Sequence, residues 1–554
     1  VSVREAVRAL SLACALSGAF APAAAQTADI IIHNAKIVTL DEAQPAARSL
    51  AVRGDRIAGV YASDAPDAMK GPATLMIDAG GRTIIPGLVD SHIHAIRAGL
   101  TFENETTFDG ARTIGDAMRR IRDAAARTPA DGWIVVAGGW TPQQFEEGRR
   151  PTAAELEAAA PGRRIYVQLF YRAAFLSAAA QGALGVGVNH PPSGTQFERQ
   201  EDSAASGWLA GDVDAITALW DRLPKPGLDA AKAGTRAFFA ALNGYGVTAV
   251  IDPGGHNLAP SEYEALFALA RANELSLRVD YFVSAPQRGG ELDFFRAHLA
   301  QRPVGAAQGL LRFTGLGERV TFGMYNNDAP DAADLAAFED VARLALAARA
   351  PLTVHWNSER SVHHLFEAIS RVGSADERAR LRWSVAHLHD ASPDTIRALQ
   401  GLGLGWLTQN ALYFAAPAFI RQMSATRRAS APPIVSAIRS GVKVAAGTDA
   451  TRVMSLNPFA AMQWMLDGRT VDGQETRGAS ETPTREEALR LWTEGGAYFA
   501  FAEKERGRIA PGMLADLAIL DADYMSIPVE RIRAIRSVLT IVGGRGVHAS
   551  PHHN

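Results

Sequence analysis

The 554-residue chain holds a single cysteine, Cys14, and carries a formal net charge of only −3. One thiol excludes an internal disulfide and any site built on paired cysteines. A bound metal ion would therefore need His, Asp, Glu or a modified Lys as ligands. The near-neutral charge balance gives no footprint of a nucleic-acid or anionic-membrane binder. Internal repeats and low-complexity tracts are absent, and the apolar run near the N-terminus is too short to span a bilayer. What is present, 47% hydrophobic and 21% charged residues, is the composition of a globular protein with a large core. A small molecule is the expected partner, and oligomeric state leaves no mark in the sequence.

Arg4 and Arg8 precede the short apolar stretch ALSLACALSGAFA, and APAAA supplies small residues before Gln26. The pattern predicts a secretory signal over residues 1–25, hence a periplasmic or secreted protein whose mature form lacks cysteine.

Short alternating runs at one end, DIIIHNAKIVTL, SLAVRGDRIAGVY and TLMIDAGGRTIIP, have counterparts in LADLAILDAD and IRSVLTIVGGRGV at the other. They predict a small composite β-sandwich domain of residues 26–85 plus 504–554. Between the two ends, β-type runs alternate with alanine-rich helical stretches. They can be counted as TIIPGLVDSHIH, VTAVIDPG, LRVDYFVS, RVTFGMYN, LTVHWNSE, WSVAHLHD, LGWLTQN and VKVAAGTDA. Eight strands with intervening helices predict an α/β fold, a (β/α)8 TIM barrel over residues 86–503. Residues 103–235 exceed that arithmetic and are expected to form an insertion over the barrel mouth.

Polar residues fall where these runs stop, at the end of a barrel where active sites are built. His92 and His94 end the first run, and residues i and i+2 of a strand face one side. His355 ends the fifth, His387 and His389 the sixth, and Asp449 the eighth. Each has a bland alternative: a lone His355 as a satisfied core histidine, Asp449 as a helix cap. Their recurrence at four strand ends favours a shared metal centre. Imidazoles and a carboxylate suit Zn²⁺ or a similar divalent ion. Such an ion lowers the pKa of a bound water towards about 7. A neighbouring carboxylate, Asp449, can take the proton.

The same motifs, PGLVDSHIH, the later strand-borne histidines and AAGTDA, resemble the amidohydrolase superfamily. GGWTPQQFEEGRRPTAAELEAAAPGRRIYVQ, NPFAAMQWML and ERGRIAPGMLADLAILDAD are similar to its amidohydrolase 3, or YtcJ-like, branch. The resemblance implies a metal-dependent hydrolase, usually with zinc, acting on amide or other C–N bonds. It makes His92, His94, His355, His387 and Asp449 metal ligands, with Asp449 and His387 also catalytic. His389 is expected to contact substrate, and Trp140 of GGW to line the pocket or else to pack within the insertion. Many relatives carry a metal-bridging carboxylated lysine on strand four. Here Thr321 is expected at that place, so either the site holds one ion or a nearby carboxylate such as Glu318 substitutes; Glu318 falls before the strand, at the opposite end of the barrel, which favours one ion over two. YRAAFLSAAA departs from a stretch in which relatives often carry a histidine, which bears on specificity. The alternatives are an esterase or lactonase using the same metal site, or a non-catalytic binding protein with a degenerate one.

Overall fold

β-Branched runs separated by alanine-rich segments fold as parallel strands joined by helices, because each strand needs a crossover to return in the same direction. The computed structural model describes residues 27–199, 205–255, 258–414, 420–421 and 423–550. The expected secretory signal lies outside them. The strands are β1 (Leu88–Asp90), β2 (Val247–Asp252), β3 (Arg278–Val283), β4 (Leu311–Leu316), β5 (Thr353–Trp356), β6 (Ser384–His387), β7 (Gly405–Gln409) and β8 (Val444–Gly447). They form two parallel sheets of order β4-β3-β2-β1 and β5-β6-β7-β8, the first extended by the antiparallel pair Ala307–Gln308 beside β4.

No continuous ladder joins these sheets among the described residues, but both pairs of edges meet. At the β4/β5 seam Leu316 N donates to Pro351 O (3.0 Å) and His355 N to Glu318 O (3.1 Å). At the β8/β1 seam Ser91 N donates to Ala446 O (3.1 Å) and Asp449 N to His92 O (2.8 Å). Glycines permit both approaches. A Cβ on Gly315 would stand 2.3 Å from Pro351 O, and one on Gly447 2.4 Å from His92 N. Glycine inside a strand marks such a close backbone approach.

Two sequence expectations shift. The fourth strand is LRFTGL, about eight residues before the predicted RVTFGMYN, which is irregular. The first run divides at Gly87. Thr83–Pro86 pairs with Leu517–Leu520, while β1 pairs with β2 and ends before His92. Strands from both ends of the chain thus share a six-stranded sheet, which packs beside a four-stranded one around Ile32, Leu50, Ile84, Leu517 and Ile541.

The main core lies around the parallel strands and includes Trp356, Trp383 and Trp406, all fully buried. Their indole N–H groups find Ser361 Oγ, Ala350 O and His387 O, so the rings add apolar area without an orphaned donor. The insertion builds its own six-stranded sheet, from Glu105–Thr106 to Ala205–Gly211, with separate cores on its two faces. Its last helix is α2 (Val213–Trp220). The chain then returns through α3 (Leu228–Asn243), which crosses α1 (Ala95–Thr101) closely enough that a Cβ on Gly234 would meet Gly99 O at 2.4 Å.

Candidate metal centre

β1 delivers His92 and His94 from the short irregular segment between its end and α1. The segment is pinned from behind by Asp90, whose carboxylate accepts from His92 N (3.2 Å), Thr448 N (3.0 Å) and Thr448 Oγ1 (2.6 Å). Burial pushes Asp90 up to about 7, against these hydrogen bonds. Asp252 at the end of β2 accepts from Ile96 N and Gly254 N and so fixes the start of α1. His94 Nδ1 lies 2.8 Å from Gly254 O, an arrangement that leaves Nε2 facing inward.

Five of the six inward-facing groups were expected, and the structure brings them together: His92, His94, His355, His387 and Asp449 are all buried. The sixth is Glu318, and its position corrects the reading of the fourth strand. Because β4 ends at Leu316, Glu318 leaves the strand at its C-terminal end, in the middle of the histidines. Glu318 Oε2 lies 3.0 Å from His355 Nδ1 and 3.3 Å from both His92 Nε2 and His387 Nε2; Oε1 lies 3.2 Å from His94 Nε2. Thr321 is buried in the irregular segment beyond, outside this cluster. Asp449 Oδ1 stands 3.3 Å from His94 Nε2 and 3.9 Å from His92 Nε2.

His387 and Asp449 both adopt left-handed backbone conformations, φ 75° and 58°. Such a conformation costs a non-glycine residue about 1–3 kcal/mol and persists where surrounding contacts enforce it. The bond from Asp449 N to His92 O is one such contact.

The electrostatics are those of a cation site. Burial opposes ionisation of Glu318, but His355, His387 and His92 hold it well below the usual carboxylate range. Burial also opposes ionisation of Asp449, and His94 and then His387 hold it below that range. Burial, reinforced by His355, drops His387 to about 4. Burial and Arg97 work against a proton on His94, yet Asp449 and Glu318 raise it to about 10. Two ionised carboxylates amid buried imidazoles need a compensating positive charge. A divalent ion fits this donor set and would displace the proton on His94. His92, His94 and Asp449 form one three-donor group and His92, Glu318 and His387 another, each with ligand atoms within 4.8 Å of one another.

His389 lies beside the cluster, half-buried, its ring 5.3 Å from that of His387; burial and then His387 push it down to about 3. Trp140 takes the packing alternative. It is fully buried against Phe108, Phe145 and Trp208 in the insertion core, and its indole N–H donates to Gln168 O. Tyr325, which no sequence pattern marked, stacks on His355 with ring centroids 4.4 Å apart.

The model of the Amidohydrolase family matches residues 75–548. N-substituted formamide deformylase of Arthrobacter pascens is 22% identical, over 94% of this chain and 98% of its own. YtcJ of Bacillus subtilis is 24% identical, over 89% and 96%. Among solved structures, an uncharacterized metal-dependent hydrolase from Pyrococcus furiosus shares the fold, with TM-score 0.64, 18% identity and coverage of 90% and 100%.

Proposed function

This chain belongs to the amidohydrolase family, in its amidohydrolase 3 (YtcJ-like) branch, and is a metal-dependent hydrolase of carbon–nitrogen bonds; from that premise we propose that it cleaves the amide bond of a small molecule. The observation that carries the reading is Glu318 set among four imidazoles with Asp449 facing the same point.

His92, His94 and Asp449 would hold one divalent ion, and Glu318, His355 and His387 supply the donors for a second. The nitrogen and oxygen donors suit zinc. The ions supply an activated water and a polarised substrate carbonyl. Asp449 accepts the water's proton and passes it to the departing nitrogen, a transfer its anionic form at neutral pH allows. His389, kept neutral, presents its ring beside the reacting carbonyl. Tyr325 fixes the plane of His355.

The same reading takes the two parallel sheets as one (β/α)8 barrel, supported by the hydrogen bonds at both seams. It takes residues 26–85 and 504–554 as a composite domain, supported by the pairing of Thr83–Pro86 with Leu517–Leu520. Export through a signal over residues 1–25 rests on the pattern around Arg4, Arg8 and Ala25.

Asp449→Asn tests the mechanism against matched amide and ester substrates. The variant should keep its fold and most of its metal and lose about 10²–10⁴-fold in kcat/KM on the amide. Undiminished amide hydrolysis would remove the proton shuttle. Ester cleavage without amide cleavage by the unaltered enzyme would replace the amidase with an esterase or lactonase.

A further inference from the structure

A cavity of about 1010 Å³ lies between the insertion, α1 and α3. Its walls include two arginines that each follow a metal-centre residue by three positions, Arg97 after His94 and Arg452 after Asp449. Both are only 5% exposed. Arg97 Nη1 is buried with no hydrogen-bond partner, and neither guanidinium makes an ion pair among the described residues. Arg452 instead stacks on the Trp220 ring, 3.9 Å from its centroid.

A buried guanidinium without an ion-pair partner is costly, and two of them facing one cavity repel each other. Glu105, half-buried in the same wall, accepts from Thr101 Oγ1. Trp133, Trp220 and Leu258 give the wall an apolar part, and exposed charged side chains such as Arg127, Asp131, Asp221 and Lys225 line the rest. The insertion holds this geometry in place: Gly139 N donates to Arg452 O (3.1 Å), and a Cβ on Gly138 would stand 1.9 Å from that oxygen.

We propose that this chamber seats a carboxylate carried by the amide substrate, bound by Arg97 and Arg452, with the substrate's apolar body against Trp220 and Leu258. The proposal rests on the amide-hydrolase reading for its orientation. Residues three apart on a helical turn stand about 5–6 Å from one another, so a carboxylate on Arg97 leaves a nearby carbonyl within reach of His94. Planar guanidinium groups are the side chains that bind a carboxylate bidentately.

The test uses a matched pair, N-acetylphenylalanine (both enantiomers) and N-acetylphenethylamine, which differ by the carboxylate. Calorimetric binding is measured on chelator-treated full-length protein and hydrolysis on the metal-loaded enzyme. One N-acetylphenylalanine enantiomer should bind at least tenfold tighter than the neutral analogue. Arg97→Met should erase that preference, and Arg97→Lys should retain part of it. Arg452→Met provides a second variant should Arg97→Met fail to fold. Equal binding of the pair, or a preference that survives both methionine variants, would overturn the proposal. Because binding is read without turnover, a carboxylate preference in a protein that hydrolyses neither probe would support the chamber and count against the reaction.

Discussion

The two seams between the parallel sheets have the same construction and differ in how they present their chemistry. At the β8/β1 seam the ligand-type residues sit in compact, recognisable stretches, DSHIH and GTDA, and Asp90 ties one to the other. At the β4/β5 seam the carboxylate follows a strand that reads FTGLGE, whose glycines look like a turn. Yet glycine serves one purpose at both: it lets two backbones meet closely enough for ligands from neighbouring strands to converge. A seam is thus where strand edges meet without a full ladder and where the side chains beyond them share one space.

The comparison is sharpened first by removing the carboxylate of the β4/β5 seam. Glu318→Ala deletes the group that contacts all four imidazoles, so metal content should collapse and hydrolysis fall below detection. Asp449→Asn at the other seam should instead spare the metal. Elemental analysis of the two purified variants checks the contrast. Equal metal retention in both would make the seams equivalent and Glu318 dispensable.

Next come the glycines. Gly315→Ala should cost about 1–3 kcal/mol of stability, the ordinary penalty for overpacking, because its Cβ would strike Pro351 O. Gly447→Ala should cost a similar amount but also lower kcat, since the clash falls on the backbone of His92 itself. Urea unfolding with parallel kinetics separates the two. A Gly315→Ala protein as stable as the parent would mean that the edges are not in contact.

The smallest effect concerns His298, whose ring meets Phe313 of β4 edge-on with centroids 4.9 Å apart. Burial, then Arg302, pushes this histidine down to about 4. Between pH 6.5 and 4 the unfolded chain therefore binds the proton and the folded chain resists it. The stability from the neutral ring is complete above pH 6.5 and is lost as pH falls through that window. His298→Gln should flatten this part of the pH–stability profile, and an unchanged slope would place the acid sensitivity elsewhere.

Much of this was legible in the sequence because the signals were local. Strand counting located seven of the eight parallel strands, and the spacing of His92 and His94 and the position of Asp449 marked three site residues. His355 and His387 were legible because each sits at the end of an apolar β-branched run. Glu318 was misplaced because RVTF has better strand propensity than LRFTGL; pairing with β3 and contact with β5 override that local preference. The packing role of Trp140 depends on how the insertion folds on itself, and the chamber around Arg97 and Arg452 on how it meets α1 and α3, contacts that no short-range pattern encodes.

Anomalous diffraction from crystals of the metal-loaded protein bears most directly on the site. Two metal peaks flanking the Glu318 carboxylate, one beside His92, His94 and Asp449 and the other beside His355 and His387, are the expected result. A protein that takes up metal elsewhere, or that holds it with Glu318 turned away, would contradict the centre described here.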